Sequence, residues 1–246
     1  MPEQSDEISA RIDRLRARLE QTTPLRTFDV RVGGTELSIT TAADPDALIE
    51  RISEEEFRID ERLPYWADVW HSAVGLGEHI LAHPESVADR DVLEIGCGLG
   101  VAGIIAATCG ARVTFSDYDA DALCAAELNL LVNCPSVRAE FLKWDFRDPP
   151  PRTWDVILGS DVMYERRFAE PLSEFLLTAL FDSGTALLAE PNRQIAAEFF
   201  RLLEKNGFTY QRDMYSVQHS GRTVDVSVSV IQRNARRDGT LPGVVA

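Results

Sequence analysis

Apolar positions at Ile8, Ile12, Leu15 and Leu19 are separated by Arg, Asp and Glu, a period that predicts an amphipathic helix over 5–21, ended by Thr22-Thr23-Pro24. A single stripe of this kind seeks the nearest core, so docking on the chain's own domain is expected ahead of binding a partner. The period then shortens to two. LRTFDVRV and TELSIT alternate on either side of Gly33-Gly34, which predicts a hairpin over 25–40. Asp44-Pro45 opens a short helical segment, and Glu54-Glu55-Glu56 reads as a solvated face.

From residue 90 strand and helix patterns alternate. DVLEIG, ARVTFSD, VRAEFL, WDVILGSD and GTALLAE read as strands, and 99–109, 119–133, 166–181 and 192–206 read as helices. Such a series predicts a mostly parallel, doubly wound sheet with right-handed crossovers and helices on both faces. FTYQRDMYSVQ and RTVDVSVSVIQR follow with only His219-Ser220-Gly221 between them, so they form an antiparallel hairpin at the end of the sheet. The expected fold is therefore α/β and Rossmann-like, with seven strands in the main sheet. Residues 1–60 form an N-terminal helix and hairpin extension packed on the main domain, 61–235 form that domain, and 236–246 form a frayed tail.

The candidate chemistry begins at Val92-Leu-Glu-Ile-Gly-Cys-Gly-Leu-Gly100, the first turn from strand to helix, where an open parallel sheet binds its ligand. Gly96, Gly98 and Gly100 let backbone approach a ligand without a Cβ in the way. A dinucleotide fingerprint would place its third glycine at 101, where the chain has Val101, and Glu94 beside the turn would repel a diphosphate. The ligand is therefore expected to be cationic or neutral, and S-adenosylmethionine, a sulfonium and ammonium without phosphate, fits. Asp117 ends the next strand, about where an acid reaches ribose hydroxyls, while Asp119 is read as the N-cap of the following helix. Trp144 and Asp145 offer an adenine face and a partner for its exocyclic amine, with a core indole beside a turn carboxylate as the equal alternative.

Composition narrows the picture. The 246 residues carry 25 basic against 40 acidic side chains, a net charge of −15, which disfavours nucleic acid and suits a basic protein segment; solubility alone explains the acidity equally well. No apolar run reaches membrane-spanning length, and the first segment is charged where a signal peptide would be apolar, so a cytoplasmic protein is expected. Cys97, Cys109, Cys124 and Cys134 form no C-x-x-C pair and are read as reduced thiols, with Cys97 a small space-filler in its turn. His71 and His79 stand eight apart on one predicted helix, and no metal site is expected.

Taken together, Glu94-x-Gly96-x-Gly98-x-Gly100, Asp117, Trp144-Asp145 and Trp154-Asp155 through Asp161 resemble the seven-strand class I methyltransferases, over about residues 62–210. Within that class, LPYWADVWHSAVGLGEHIL and SDVMYE resemble the small protein-lysine methyltransferases, which include the enzyme acting on the electron-transfer flavoprotein β-subunit. The resemblance implies a cofactor set of Trp70, Glu94, Gly96, Gly98, Gly100, Asp117, Trp144, Asp145 and Ser160, with Asp161 and Tyr164 at the substrate entrance. It also implies that Trp66 and Trp70 help close over the cofactor; four residues apart, they can face one way on a helix, and core packing explains them as well. AEPNR, Ala189 to Arg193, departs from the glycine-containing turn of the flavoprotein-directed enzymes.

A lysine ammonium has a reference pKa of about 10.4, which a neighbouring carboxylate raises further, so Asp161 is cast as an anchor and Tyr164 as a π face. The expected activity is methyl transfer from S-adenosylmethionine to a protein lysine, by a chain for which a monomer is favoured. Methylation of a small amine or pyridine, and a nucleoside-binding module without catalysis, are the alternatives. A dehydrogenase is disfavoured by Val101 and Glu94, and DNA methylation by charge and by the lack of an N-P-P-Y type tetrapeptide.

Overall fold

The computed structural model describes residues 2–50, 52, 63–193 and 196–234; Glu54-Glu55-Glu56 and the tail 236–246 lie outside the described residues. Helix α1 spans Pro2–Glu20, three residues earlier than the apolar stripe alone predicts. Its stripe faces inward, with Leu15 and Leu19 buried and Ile12 packed beside them. Burying a leucine fully contributes about 2 kcal/mol, more than the exposed fork of Arg11 onto Glu127 at 2.8 and 2.9 Å. Strands β1 (Leu25–Val32) and β2 (Thr35–Ala42) form the expected hairpin, turning at Gly33 with φ +54°. A short helix α2, Pro45–Ile49, follows, capped by the Asp44 carboxylate, which accepts from the Ala47 amide at 3.1 Å.

The main body alternates as its periodicity requires. Helix α3 (His71–Ala82) precedes β3 (Asp91–Ile95), α4 (Val101–Thr108), β4 (Arg112–Asp117), α5 (Ala120–Asn133), β5 (Glu140–Lys143) and β6 (Trp154–Ser160). Helix α6 (Ala169–Ala179), β7 (Leu180–Glu190), α7 (Ala196–Lys205), β8 (Phe208–His219) and β9 (Arg222–Arg233) complete it. The sheet order is β5-β4-β3-β6-β7-β9-β8, parallel from β5 through β7 and antiparallel at β9 and β8. This is the expected seven-stranded, Rossmann-like arrangement. Strand order reverses between β3 and β6, so the crevice at their carboxyl ends is where a ligand belongs.

Strand alternation divides the core. Val92, Val156, Leu158 and Leu187 point to one face, under α3, α4 and α5, while Leu93, Ile95, Ile157 and Leu188 point to the other, under α6 and α7. The end of the helix predicted over 166–181 needs correction: α6 stops at Ala179 and β7 begins at once. Trp154 pairs with Leu180 and Val156 with Thr185, so residues 181–184 bulge opposite Asp155 alone, and the exposed Phe181 sits in that bulge. At the turn between β8 and β9 Ser220 and Gly221 both have positive φ, 49° and 74°, which matches the twist of the hairpin.

The N-terminal hairpin is joined to the main body by two amides one helical turn apart on α5. The Asn129 carboxamide accepts from the Thr40 amide at 2.8 Å and donates to the Thr40 and Leu99 carbonyls at 3.2 and 3.1 Å. Asn133 accepts from and donates to Ser38, both at 2.9 Å. These side chains supply the ladder partner that the β2 edge lacks. The bond to Leu99 extends the tie into the glycine turn.

Candidate active site

A cavity of about 540 Å³ opens at the carboxyl ends of β3, β4, β5 and β6. Gly96 and Gly98 line it, with φ of 56° and 51° that other residues rarely adopt. Asp117 lines it and also builds it: Oδ2 accepts from the Gly98 amide at 3.0 Å and Oδ1 from the Asp119 amide at 3.0 Å. The end of β4 is thereby tied to the turn after β3. Asp119 caps α5 as its sequence position predicts, accepting from the Asp121 amide at 2.8 Å.

Trp70, Trp144, Asp145, Ser160, Asp161 and Tyr164 also line the cavity. Glu94 and Gly100 do not, which corrects the sequence expectation for both. Glu94 shares the face of Val92, so it points under α4, where its Oε2 accepts from the Gly103 amide at 3.1 Å. Burial there pushes its pKa to about 8, against a lesser downward pull from that bond, so it is protonated and neutral at pH 7. It points away from the cavity lining and toward the α4 backbone. Gly100 starts α4 with φ 78°, packed against Phe115 and Ala126; its glycine serves the bend and the packing.

Trp66 and Trp70 do not share a helix. Trp66 lies in a single 3-10 turn, Tyr65–Ala67, buried against the cavity, whereas Trp70 is the residue before α3 and is 37% exposed. The Trp70 indole donates to the Tyr65 carbonyl at 2.9 Å. Tyr65 stacks edge-on with both Trp70 and Tyr164, at 6.0 and 5.6 Å between centroids, giving the mouth an aromatic rim. Tyr65, in the same turn and adjacent to Trp66, was missed because a four-residue spacing singles out Trp66 and Trp70 and not their neighbour.

Asp161 sits just past β6 with φ 55°, held by its amide to the Ala189 carbonyl at 2.9 Å. Burial pushes its pKa up, and the nearby Ser72 hydroxyl, Arg193 and His71 pull it back. Arg193 reaches Oδ1 at 2.9 Å as a charge pair, though not aligned as a hydrogen bond. Arg193 is presented by buried Glu190, which accepts the Arg193 amide at 2.6 Å, and by Asn192 at φ 54°. Of that turn, Arg193 lines the cavity and Glu190 stands behind it. Asp145 is held by Arg147, with contacts of 2.8 to 3.2 Å, so any ligand amine must share it. Trp144 packs one ring side on Phe175 at 5.4 Å. Burial pushes the Cys97 thiol well up, in keeping with a space-filler.

The charges around the cavity decide what it suits. Among the described lining residues Asp68, Asp117, Asp145, Asp161 and Glu165 are acidic and Arg193 is basic, while Arg147 and Arg167 pair with Asp145 and Glu165 from outside the lining, each at 2.8 Å. Such a wall repels a diphosphate and favours a sulfonium, an ammonium or a guanidinium. The volume lies within the roughly 300–1,000 Å³ usual for small-molecule sites.

Comparison with known proteins agrees with this geometry. A family model described as lysine methyltransferase matches residues 58–206, more than half of the chain. The chain is 38% identical over 128 residues to a histone-arginine methyltransferase, METTL23, of Xenopus laevis, covering 48% of this chain and 51% of that protein. It is 35% identical over 136 residues to the electron transfer flavoprotein beta subunit lysine methyltransferase of Danio rerio, covering 53% and 51%. The chain thus spans about half the length of these relatives. Among solved structures, magnesium protoporphyrin IX methyltransferase from Synechocystis PCC 6803, with bound SAM, superposes with a TM-score of 0.53 at 18% identity, covering 73% of this chain and 85% of that one. At that identity the likeness speaks to the fold.

Proposed function

The chain belongs to the lysine methyltransferase family, and from that premise we propose that it transfers the methyl group of S-adenosylmethionine to a lysine side chain of a protein. The observation that carries this reading is the acidic lining of the cavity, five carboxylates with Arg193 on Asp161 at the mouth, beneath an aromatic rim open to solvent. When bound, the cofactor supplies an electrophilic methyl group on a sulfonium. Gly96 and Gly98 would lie against it, Asp117 would accept its ribose hydroxyls, Trp144 would cover its adenine beside Asp145, and Ser160 and Trp70 would border it.

Asp161 does the work on the acceptor. As the largely buried carboxylate at the mouth it would hold the lysine ammonium and aim its nitrogen inward, displacing Arg193. Much of the rate then comes from keeping two groups in line. Tyr65, Trp70 and Tyr164 offer π faces to the incoming cation, and the ammonium proton leaves through water at the mouth. The net charge of −15 points to a basic protein segment as the acceptor, and the free thiols fit a reducing cytoplasm. Among the described residues no helix is long and apolar enough to cross a membrane.

One observation favours a second acceptor. A guanidinium, that of Arg193, already rests on Asp161, so the site accommodates arginine, in line with the histone-arginine relative. The experiment is to incubate the protein and its Asp161→Asn variant with radiolabelled S-adenosylmethionine and cell extract, then hydrolyse labelled protein and identify the methylated amino acid. Methyllysine, lost in the variant, is the expected result. Methylarginine promotes the second reading, and label confined to small molecules sinks both.

A further inference from the structure

Away from the cavity, the far end of α3 meets β8. His79, 3% exposed, and His83, just past the helix, are four residues apart and so lie one turn above the other, with ring centroids at 4.8 Å. His83 is the residue that pairing His71 with His79 passed over. Strand β8 crosses beside them and presents Asp213 and Tyr215 from one face. Asp213 Oδ2 lies 3.5 Å from His79 Nδ1, and the Tyr215 hydroxyl lies 3.0 Å from the same nitrogen.

We propose that His79, His83 and Asp213 form a binding site for a divalent transition metal of the zinc type. One donor atom from each lies within 4.8 Å of the other two. Zinc bonds of about 2.0–2.1 Å set tetrahedral donors roughly 3.4 Å apart, so the contact from His79 to Asp213 is already at the right separation. At most about 1.4 Å of further closure is needed, and the His83 and Asp213 side chains that would supply it are 49% and 51% exposed. Two imidazoles and a carboxylate are a borderline-soft set that suits zinc over magnesium or calcium.

The surroundings favour a cation in two ways. Glu85 Oε1 stands 3.7 Å from His83 Nδ1, within reach of a fourth position that water otherwise fills, and Glu78 adds negative charge near Tyr215. His79 Nδ1 already faces both the Asp213 carboxylate and the Tyr215 hydroxyl, so the atom that would bind the metal is aimed at the site. Without a metal, the Tyr215 hydroxyl satisfies His79, and that bond requires neither His83 nor Asp213 to converge. Bound metal would staple the C-terminal end of α3 to the β8–β9 hairpin. The opposite end of α3 starts beside Trp70 and contributes Ala73 to the cavity wall.

The test titrates the full-length protein, first stripped with a chelator, with zinc chloride alone, by calorimetry and by thermal unfolding. His83→Ala and Asp213→Asn are the variants, because both side chains are half exposed and the fold does not depend on them. The expected result is one equivalent bound, a thermal midpoint that rises with zinc, and affinity weakened at least about tenfold in each variant. Absence of saturable binding overturns the proposal. So does binding that either variant leaves unchanged, which would place the zinc on the thiols or elsewhere.

Discussion

At the scale of single residues, Glu94 shows how a motif can be read correctly and its chemistry misplaced. The acid-glycine spacing identified the turn, but alternation along β3 puts Glu94 with Val92 on the face beneath α4, and only the backbone past Ile95 turns toward the cavity. That alternation was legible in the sequence; which face carries the ligand was not, because it depends on which helix covers the strand. Arg193 was recognised as a departure from the family turn, yet its place on Asp161 depends on a charge contact across 32 positions of sequence that no local pattern encodes. Glu94 makes a sharp prediction. Its folded pKa of about 8 exceeds the ordinary value of 4.5, so its stabilising contribution is full below pH 4.5 and is lost as pH rises through 8. Glu94→Gln, which mimics the neutral acid, should therefore gain on the natural protein by up to roughly 4 kcal/mol between pH 5 and 9. Denaturant unfolding across that range checks it; curves that stay parallel would mean that Glu94 is ionised in the folded protein.

At the scale of elements, the strongly periodic segments were legible and the junctions were not. Strand β3, helix α5 and the β8–β9 hairpin lie within a few residues of their predicted bounds because each carries a long uninterrupted period. The junction of α6 with β7 was misplaced because Leu180 and Phe181 continue the helical apolar pattern, and only pairing with Trp154 ends it. Trp66 and Trp70 fell on different elements because the chain between them is a 3-10 turn followed by extended backbone at Asp68 and Trp70, which a spacing of four does not reveal. The docking of the N-terminal hairpin rests on Asn129 and Asn133, two polar residues on an apolar helix whose role appears only once β2 lies beside them. Asn129 is wholly buried and leaves three backbone groups unpartnered when removed, so Asn129→Ala should cost about 2–4 kcal/mol and lower the thermal midpoint by roughly 4–12 °C. Because the same amide holds the Leu99 carbonyl, affinity for S-adenosylmethionine should fall with it. Asn133→Ala, at a half-buried position that does not touch the turn, should cost about 1 kcal/mol and leave cofactor affinity intact. Equal effects on cofactor binding would show that the hairpin and the glycine turn are not coupled through Asn129.

At the scale of the whole molecule, charge is the property that joins surface to site. The net charge of −15 left two readings standing at the level of composition, solubility and recognition of a basic partner. The cavity wall repeats the surface's sign where repetition is costly. Asp117 is buried and Asp161 nearly so, and placing such carboxylates in a cavity wall carries a desolvation penalty that solubility does not require. A field of one sign that extends from the surface into the mouth steers a cationic acceptor toward Asp161 and weakens with ionic strength, because the Debye length shrinks to about 8 Å at physiological salt. Methyl transfer to a basic peptide should therefore show a KM that rises about three- to tenfold between 50 and 300 mM salt while kcat holds, since the contacts made once the lysine is seated are short and screened little. The same series with a neutral peptide of one lysine separates the two readings. A steeper salt dependence for the basic peptide assigns the acidity to recognition, whereas identical slopes leave it to solubility and confine selectivity to the residues at the mouth.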